Sequence, residues 1–499
     1  MIQPFDQSAI TRHPDQIARY DNLPQSLLAQ LRTTVDHHPT NEAIVELGAQ
    51  RINYRDLWDR SARVSGGLKQ LGVSPGDRVA IRLGNSLDWC VAFWGTLMSG
   101  AIVVPVNTRF SEPEVEYVLT DSGSRYTFLP GQPLPDAAPF VTEGIQQPDV
   151  AAIFYTSGTT GFPKGAMTTH EGFLSNIETC RRIAPLPGDD SVRTLVSVPL
   201  FHVTGCNSQL LPSCAYGGAT VIMPAFDVLS FLKAINAERI NSLTSVPAIF
   251  WLAINQPSFP EIDTTGVRWV MYGGAPIAPD LVGRIVQAFP NARVGNGFGL
   301  TETSSVATFL PHQFAGVRPD TVGFAAPVVD LDLFEPDPDG VGELLVRAPN
   351  VVKGYWNKPE ATAQTFVNGW LYTGDLARID KDGFVQIVDR KKDMVNRGGE
   401  NVYCVEVENA LCAHPAVFEC AVMGVPDTMM GEKVGAIVVL KPGLTATREE
   451  ICEFLKGRLA DFKIPQYMVI RPESLPRNPG GKILKPRLRK EATWGPPLR

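Results

Sequence analysis

The chain has 499 residues, too many for one compact core, so at least two domains are expected. Its composition, 44% hydrophobic and 19% charged with no low-complexity tract, is that of a globular protein, and a net charge of −7 argues against a general nucleic-acid binder. Gly 44 and Pro 41 are generous counts, which points to many turns and loops that approach ligands closely.

The first residues, MIQPFDQSAITRHPDQ, lack the basic-then-apolar order of a signal peptide. From about residue 50 two periodicities alternate. Tyr54–Leu71 sets Leu57, Val64, Leu68 and Leu71 at helical spacing, and 78–83, 101–106 and 125–129 read as short buried strands. The apolar run from Trp89 to Val106 is about as long as a membrane span, but Gly95, Ser99, Gly100 and Pro105 interrupt it. It reads instead as a buried helix followed by a strand. Ser111-Glu-Pro-Glu114 is a capping box with an early proline, opening a helix through Leu119.

Further strands are expected near 152–155, 194–198, 220–223, 242–246 and 269–272, with helices over 228–238 and 280–289. This rhythm favours parallel sheets covered by helices. Polar or glycine-rich loops are expected at 156–165, 273–276 and 295–303, at strand carboxyl ends, where open α/β sheets bind ligands. After about residue 320 the chain turns to β structure rich in turns, and Asp389-Arg-Lys-Lys-Asp393 punctuates it. Beyond lies a small α+β unit: a helix over 403–412, strands at 418–423 and 434–440, and a helix opened by the capping box Thr447-Arg-Glu-Glu450. The domain boundary is placed at 390/391. The eight cysteines form no CxxC pair, no histidine cluster has zinc-like spacing, and reduced thiols in a cytoplasmic protein are expected.

Residues 155–167, YTSGTTGFPKGAM, combine hydroxyls, glycines and a lysine directly after an apolar strand. A Walker loop counted from Gly158 would put its second glycine at Pro163, and Lys164 is followed by Gly165, so the spacing fails. Gly295-Asn-Gly-Phe-Gly299 is likewise GxGxG and not the dinucleotide GxGxxG. The 155–167 stretch instead closely resembles the signature loop of the adenylate-forming superfamily: acyl- and aryl-CoA synthetases, luciferases and peptide-synthetase adenylation domains. Six further segments fit in that family's order: PLFHVTG (199–205), MYGGAP (271–276), NGFGLTET (296–303), YTGD (372–375), DRKKDMVNRGGENVYCVEVE (389–408) and PRNPGGKILKPRLR (476–489).

The resemblance implies an α/β fold. Residues 1–390 would form a large AMP-binding domain of Rossmann-like βαβ subdomains with a small β-barrel-like part, and 391–499 a small mobile α+β domain. It implies ATP and Mg2+, with coenzyme A as co-substrate. A carboxylate would attack the α-phosphorus of ATP, giving acyl-AMP and pyrophosphate, and the CoA thiol would then displace AMP. Both reactants of the first step are anions, so positioning and charge neutralisation should dominate.

By the same resemblance Thr156, Ser157, Gly158, Thr159, Thr160, Gly161 and Lys164 would hold the β- and γ-phosphates. Glu302 would ligate Mg2+, with Thr301 near the α-phosphate; taken alone, Glu302 would pass for a solvated surface glutamate. Gly273, Gly274, Ala275 and Pro276 would let backbone approach adenine, beside Asn296, Gly297, Phe298 and Gly299. Phe298 stands where many relatives have tyrosine, so stacking survives and any phenol hydrogen bond does not. Asp375 and Arg390 would contact the ribose, though in YTGD an aspartate also suits a plain turn. Lys482 would bridge the carboxylate and the α-phosphate, whereas neighbouring Lys485, Arg487, Arg489 and Lys490 read as solvated or steering charges. Lys392 matches a hinge about which the small domain rotates, bringing Gly398, Gly399 and Glu400 to the pantetheine tunnel.

For the acid itself the sequence says less. His202 matches the family aromatic near the substrate carboxylate, with a core histidine as the alternative, and no aspartate follows it as in relatives that activate amino acids. Val203, Thr204, Val246 and Met271, with Cys206, Ala248 and Val306, form a small or apolar wall suited to a fatty or an aryl acid. No arginine can be placed there for a second substrate carboxylate. The expected partners are a small carboxylic acid, ATP and CoA, with no nucleic acid and no transmembrane segment; self-association into a homo-oligomer stays open. A luciferase-like oxygen chemistry, a stand-alone enzyme loading a carrier protein, and a non-catalytic ATP-binding relative remain as alternatives.

Overall fold

The computed structural model describes residues 2–156, 163–185, 192–275, 277–398, 400–477 and 483–498. They form two compact units, 1–331 with 346–371, and 332–345 with 372–499.

The first unit carries two large sheets and a small two-stranded one, Ile10–Arg12 with Ala18–Tyr20. The larger has nine strands, and the five pairings through its interior are parallel: Arg293–Phe298, Trp269–Gly273, Ser242–Ser245, Arg193–Val196, Ala219–Ile222 and Glu42–Glu46 lie side by side in that order. Alternation of side chains splits these strands between two cores. Leu195, Leu243, Val270 and Tyr272 face one, packed under the helices Val228–Ala237 and Pro279–Ala288. Thr194, Ser242, Thr244, Trp269 and Met271 therefore face the other side, toward the helical segment 203–215 and the helix His170–Ile183. The second sheet aligns Ser124–Phe128, Arg78–Ile81, Ile102–Pro105 and Val150–Thr156 in parallel, and adds Lys164–Thr169 antiparallel at its edge.

The apolar run at 89–106 forms the buried helix Leu87–Met98 and the strand Ile102–Pro105, and no helix among the described residues is long and apolar enough to cross a membrane. The capping box at Ser111 is present, with the Ser111 N–H donating to the Glu114 carboxylate at 2.8 Å. That at Thr447 is present too. All eight cysteines are free.

The second unit holds most of the turn-rich β region, including Trp370–Ile379 paired with Val385–Arg390, and a five-stranded sheet built on the long hairpin Val417–Asp427 and Gly431–Leu440. The helices Cys404–Cys412 and Arg448–Leu455 flank this sheet. The 390/391 position falls inside this unit, at a turn where the Asp393 and Met394 N–H groups both donate to the Arg390 carbonyl.

Candidate active site

The first corner of the site is a hairpin. Thr156 ends one strand and Lys164 begins the next, directly opposite it, so Lys164 opens a strand and does not lie in the loop expected over 156–165. Its ammonium lies 4.9 Å from the centre of the Tyr355 ring. The Tyr355 hydroxyl donates to Glu302 Oε1 at 2.7 Å, which joins the second corner to the first. Burial and the adjacent Glu302 carboxylate push the Tyr355 phenol far above its ordinary range, so it stays a donor. Backbone bonds fix the same triangle: Val352 N–H to Glu302 O at 2.9 Å and Trp356 N–H to Gly165 O at 2.8 Å. Sequence reasoning missed Tyr355, which lies in none of the motifs.

Thr301 and Glu302 occupy a single 3-10 turn, followed by Ser304 at φ +49° and Ser305 at φ +125°. Two consecutive non-glycine residues at positive φ store strain that surrounding contacts must hold. Three buried asparagines do so. Asn207 donates to Ser304 O at 2.8 Å, Asn350 to Thr303 O at 2.7 Å and Val306 O at 2.9 Å, and Asn176 accepts from Val306 N–H at 3.1 Å. The Ser208 and Ser305 hydroxyls are also bonded to each other.

The strand Arg293–Phe298 includes Gly295 and Gly297, so the loop expected from 295 begins only at Gly299. Glycine in a strand interior reads as a loop, but here it permits close approach. A Cβ on Gly273 would stand 2.2 Å from Gly297 O, and one on Gly299 1.4 Å from Ser305 O. Asn296 is held away from this surface, its amide donating to Thr321 O at 3.3 Å.

A cavity of about 280 Å³ runs between the large sheet and the helical segment 203–216. Gly273, Gly274, Gly297, Phe298 and Gly299 line it together with Val203, Thr204, Met271 and Val306, so residues expected at adenine and most of those expected at the acid share one space. Val246, Cys206, Ala248 and His202 do not line it. Val246 sits just behind, 3.8 Å from where a Gly274 Cβ would be. His202 packs on Phe201 with its Nε2 enclosed and unpartnered among the described residues. Burial, reinforced by Arg109, pushes His202 down to about 4, so its ring is neutral at pH 7. The sequence reading placed no arginine at this wall, but Arg181 lines it, its guanidinium bonded to the Glu178 carboxylate at 2.8 Å.

In the second unit Asp375 and Arg390 face each other across paired strands, 2.5 Å apart, with Asp375 only 2% exposed. Asp389 is also buried. It accepts from the Arg390 N–H at 2.7 Å and from the Cys404 N–H, and burial raises it to about 6 against the pull of Lys485. Lys392 lies in the exposed turn after Arg390, and Gly398 and Glu400 flank a hairpin tip. Ser157, Gly158, Thr159, Thr160, Gly161, Pro276, Gly399 and Lys482 lie outside the described residues.

Among the described residues no cluster of three His, Cys, Asp or Glu side chains could hold a metal ion. Glu302 is a lone carboxylate with an oxygen-rich setting. That donor set suits Mg2+, which is commonly bound by one or two carboxylates and substrate phosphates and not by an all-protein cage.

Comparison with known proteins agrees with this geometry. Residues 31–356 match the AMP-binding enzyme family, and 406–482 match the AMP-binding enzyme C-terminal domain. A feruloyl-CoA synthase from Amycolatopsis sp is 35% identical over 473 residues, covering 89% of this chain and 95% of the relative. The long-chain-fatty-acid–CoA ligase FadD13 of Mycobacterium tuberculosis is 35% identical over 496 residues, covering 92% and 97%. The structure of o-succinylbenzoate CoA synthetase from Bacillus subtilis, in complex with its acyl-adenylate intermediate, superimposes with a TM-score of 0.83 at 28% identity, covering 95% of this chain and 99% of that one. The chain belongs to the AMP-binding, adenylate-forming enzyme family, and is an enzyme of its AMP-forming acid–CoA ligase class.

Proposed function

We propose that the chain activates a fatty or aryl carboxylic acid with ATP and passes the acyl group to coenzyme A. The observation that carries this reading is the single cavity, lined at one end by the glycines of 273–274 and 297–299 and at the other by apolar and hydroxyl side chains. In the first step a carboxylate oxygen bonds to the α-phosphorus as the bond to the pyrophosphate oxygen breaks. In the second, the CoA sulfur, having lost its proton, bonds to the acyl carbon, and AMP leaves.

The residues are assigned the following tasks. Lys164 neutralises the β- and γ-phosphates with the hydroxyls and N–H groups of 156–161. Tyr355 holds the Glu302 carboxylate in one orientation between the two corners. Glu302 would hold Mg2+, which when bound neutralises phosphate charge. Thr301 lies next to it, near the α-phosphate. Gly273, Gly274, Ala275 and Pro276 give adenine a close backbone wall, with Phe298 for stacking. His202, outside the cavity lining in this structure, is assigned a place near the substrate carboxylate, where its neutral ring would not pair with it as a cation. Asp375 and Arg390 take the ribose, and Lys482 bridges carboxylate and α-phosphate. A small domain beginning at 391 turns about Lys392 between the two steps and brings Gly398, Gly399 and Glu400 to the CoA arm.

A panel of fatty and aryl acids with ATP and Mg2+, scored for pyrophosphate and then for thioester, tests the reading. Both products are expected; pyrophosphate without thioester would favour carrier loading. Lys482→Ala should abolish adenylation yet spare thioester formation from supplied acyl-AMP. Equal loss of both steps would contradict the rotation.

A further inference from the structure

The cavity is not uniform along its length. Strand register gives its floor row by row. At the nucleotide end Gly273 lies opposite Gly297, and at the next inward row Met271 lies beside Thr244 and Gly295. Deepest, Trp269 lies beside Ser242, which pairs with Thr194. The floor thus passes from bare backbone to a patch of hydroxyls. From above, Gln209 and Ser213 of the helical segment face the same space. Ser213 is fully buried and Gln209 only 2% exposed, and the Gln209 carbonyl is reached by the Thr194 hydroxyl at 3.4 Å. Two of these groups, Thr244 Oγ1 and Ser213 Oγ, are enclosed and have no hydrogen-bond partner among the described residues.

An unpaired buried hydroxyl is destabilising if nothing answers it, and an alkyl chain cannot answer it. A second carboxylate would answer them only at the expense of a buried anion, because among the described lining residues the one cation, Arg181, already pairs with Glu178. What remains is an uncharged polar group, and an oxygen, which can accept from either hydroxyl, is the simplest that fits.

We propose that the deep end of this cavity recognises a hydroxyl or carbonyl oxygen on the acid, and that Thr244 and Ser213 are the side chains that select it. The inference rests on the acid-activating reading above and narrows its substrate class to oxygenated acids. At about 3.3 Å per strand residue, the oxygen would lie roughly 7–13 Å from the carboxyl group, the span from Gly273 to the rows of Thr244 and Ser242. A hydroxylated phenylpropanoic acid or an ω-hydroxy medium-chain acid meets that requirement.

The test compares kcat/KM for pyrophosphate release within matched pairs: 3-(4-hydroxyphenyl)propanoate against 3-phenylpropanoate, and 10-hydroxydecanoate against decanoate, with decanedioate alongside. The oxygenated member should lead by about tenfold or more in at least one pair. Thr244→Val should bring that ratio toward one, while Thr244→Ser keeps it; because the readout is a ratio within a pair, a general loss of activity cancels. Ser213→Ala should lower the same ratio. Preference for the unsubstituted acids, a ratio indifferent to Thr244→Val and Ser213→Ala, or decanedioate as the best substrate each overturns the inference while leaving the ligase reading standing. No pyrophosphate from any acid overturns both.

Discussion

The two ends of the cavity in the first unit are built from different materials. At the end proposed for the nucleotide the wall is backbone, kept bare because a side chain at Gly273 or Gly299 would collide with a carbonyl oxygen. At the deep end it is side chain: Thr194, Ser242, Thr244, Gln209 and Ser213. A Cβ cannot be added at Gly273 or Gly299 without displacing backbone, whereas side chains at the deep end can be exchanged without moving it. This is why ATP is readable from short motifs and the acid is not.

The largest effect is expected at Glu302. Glu302→Gln keeps an acceptor for Tyr355 but removes the charge, and should lower kcat of adenylation by about 10²–10³ with a smaller change in acid KM. A loss confined to KM would mean that Glu302 serves only ground-state binding. Next comes protonation of His202, held at about 4 by burial. Its unfolded value is higher, so the stability it lends is present above about pH 6.5 and is lost as pH falls through 4, about 3 kcal/mol in all. Asp389, raised to about 6, has the opposite sign: its contribution is present below about pH 4 and is lost as pH rises through 6. Thermal unfolding of His202→Gln and Asp389→Asn against pH should therefore diverge from the parent at opposite ends of the scale; parallel curves would contradict both assignments.

Tyr355→Phe removes a single hydrogen bond to a carboxylate, worth about 1.5–3 kcal/mol, and should slow adenylation roughly tenfold or more while folding normally. Unchanged turnover would show that the turn at 301–303 orients Glu302 unaided. The smallest effect sharpens the backbone end. Gly273→Ala should cost about 1–3 kcal/mol of stability from its clash with Gly297 O, whereas Gly297→Ala, whose Cβ meets only Phe309 at 3.9 Å, should cost less stability and chiefly weaken ATP binding. Equal melting of the two variants would argue against the close approach.

Much of the fold was legible in the residues. The alternation of apolar runs from 78 to 129 gave each strand and helix to within a few positions, because buried parallel strands are short and uniformly apolar and both capping boxes marked helix starts locally. Gly295 and Gly297 misled, since a strand whose neighbour needs close approach looks like a loop in one dimension. Tyr355 was invisible for another reason: it meets Glu302 from 53 positions away, and no local pattern encodes that meeting. The asparagines 176, 207 and 350 share this remoteness, and Arg181 reaches the cavity only because the helix His170–Ile183 packs over the sheet.

The most direct test of the central claim, that a carboxylate and ATP react in one shared cavity before CoA is needed, is exchange of labelled pyrophosphate into ATP. With Mg2+ and a suitable acid, exchange should proceed without CoA and should fall by about 10²–10³ in Glu302→Gln. Exchange that is absent with every acid, or that appears only once CoA is added, would contradict the account.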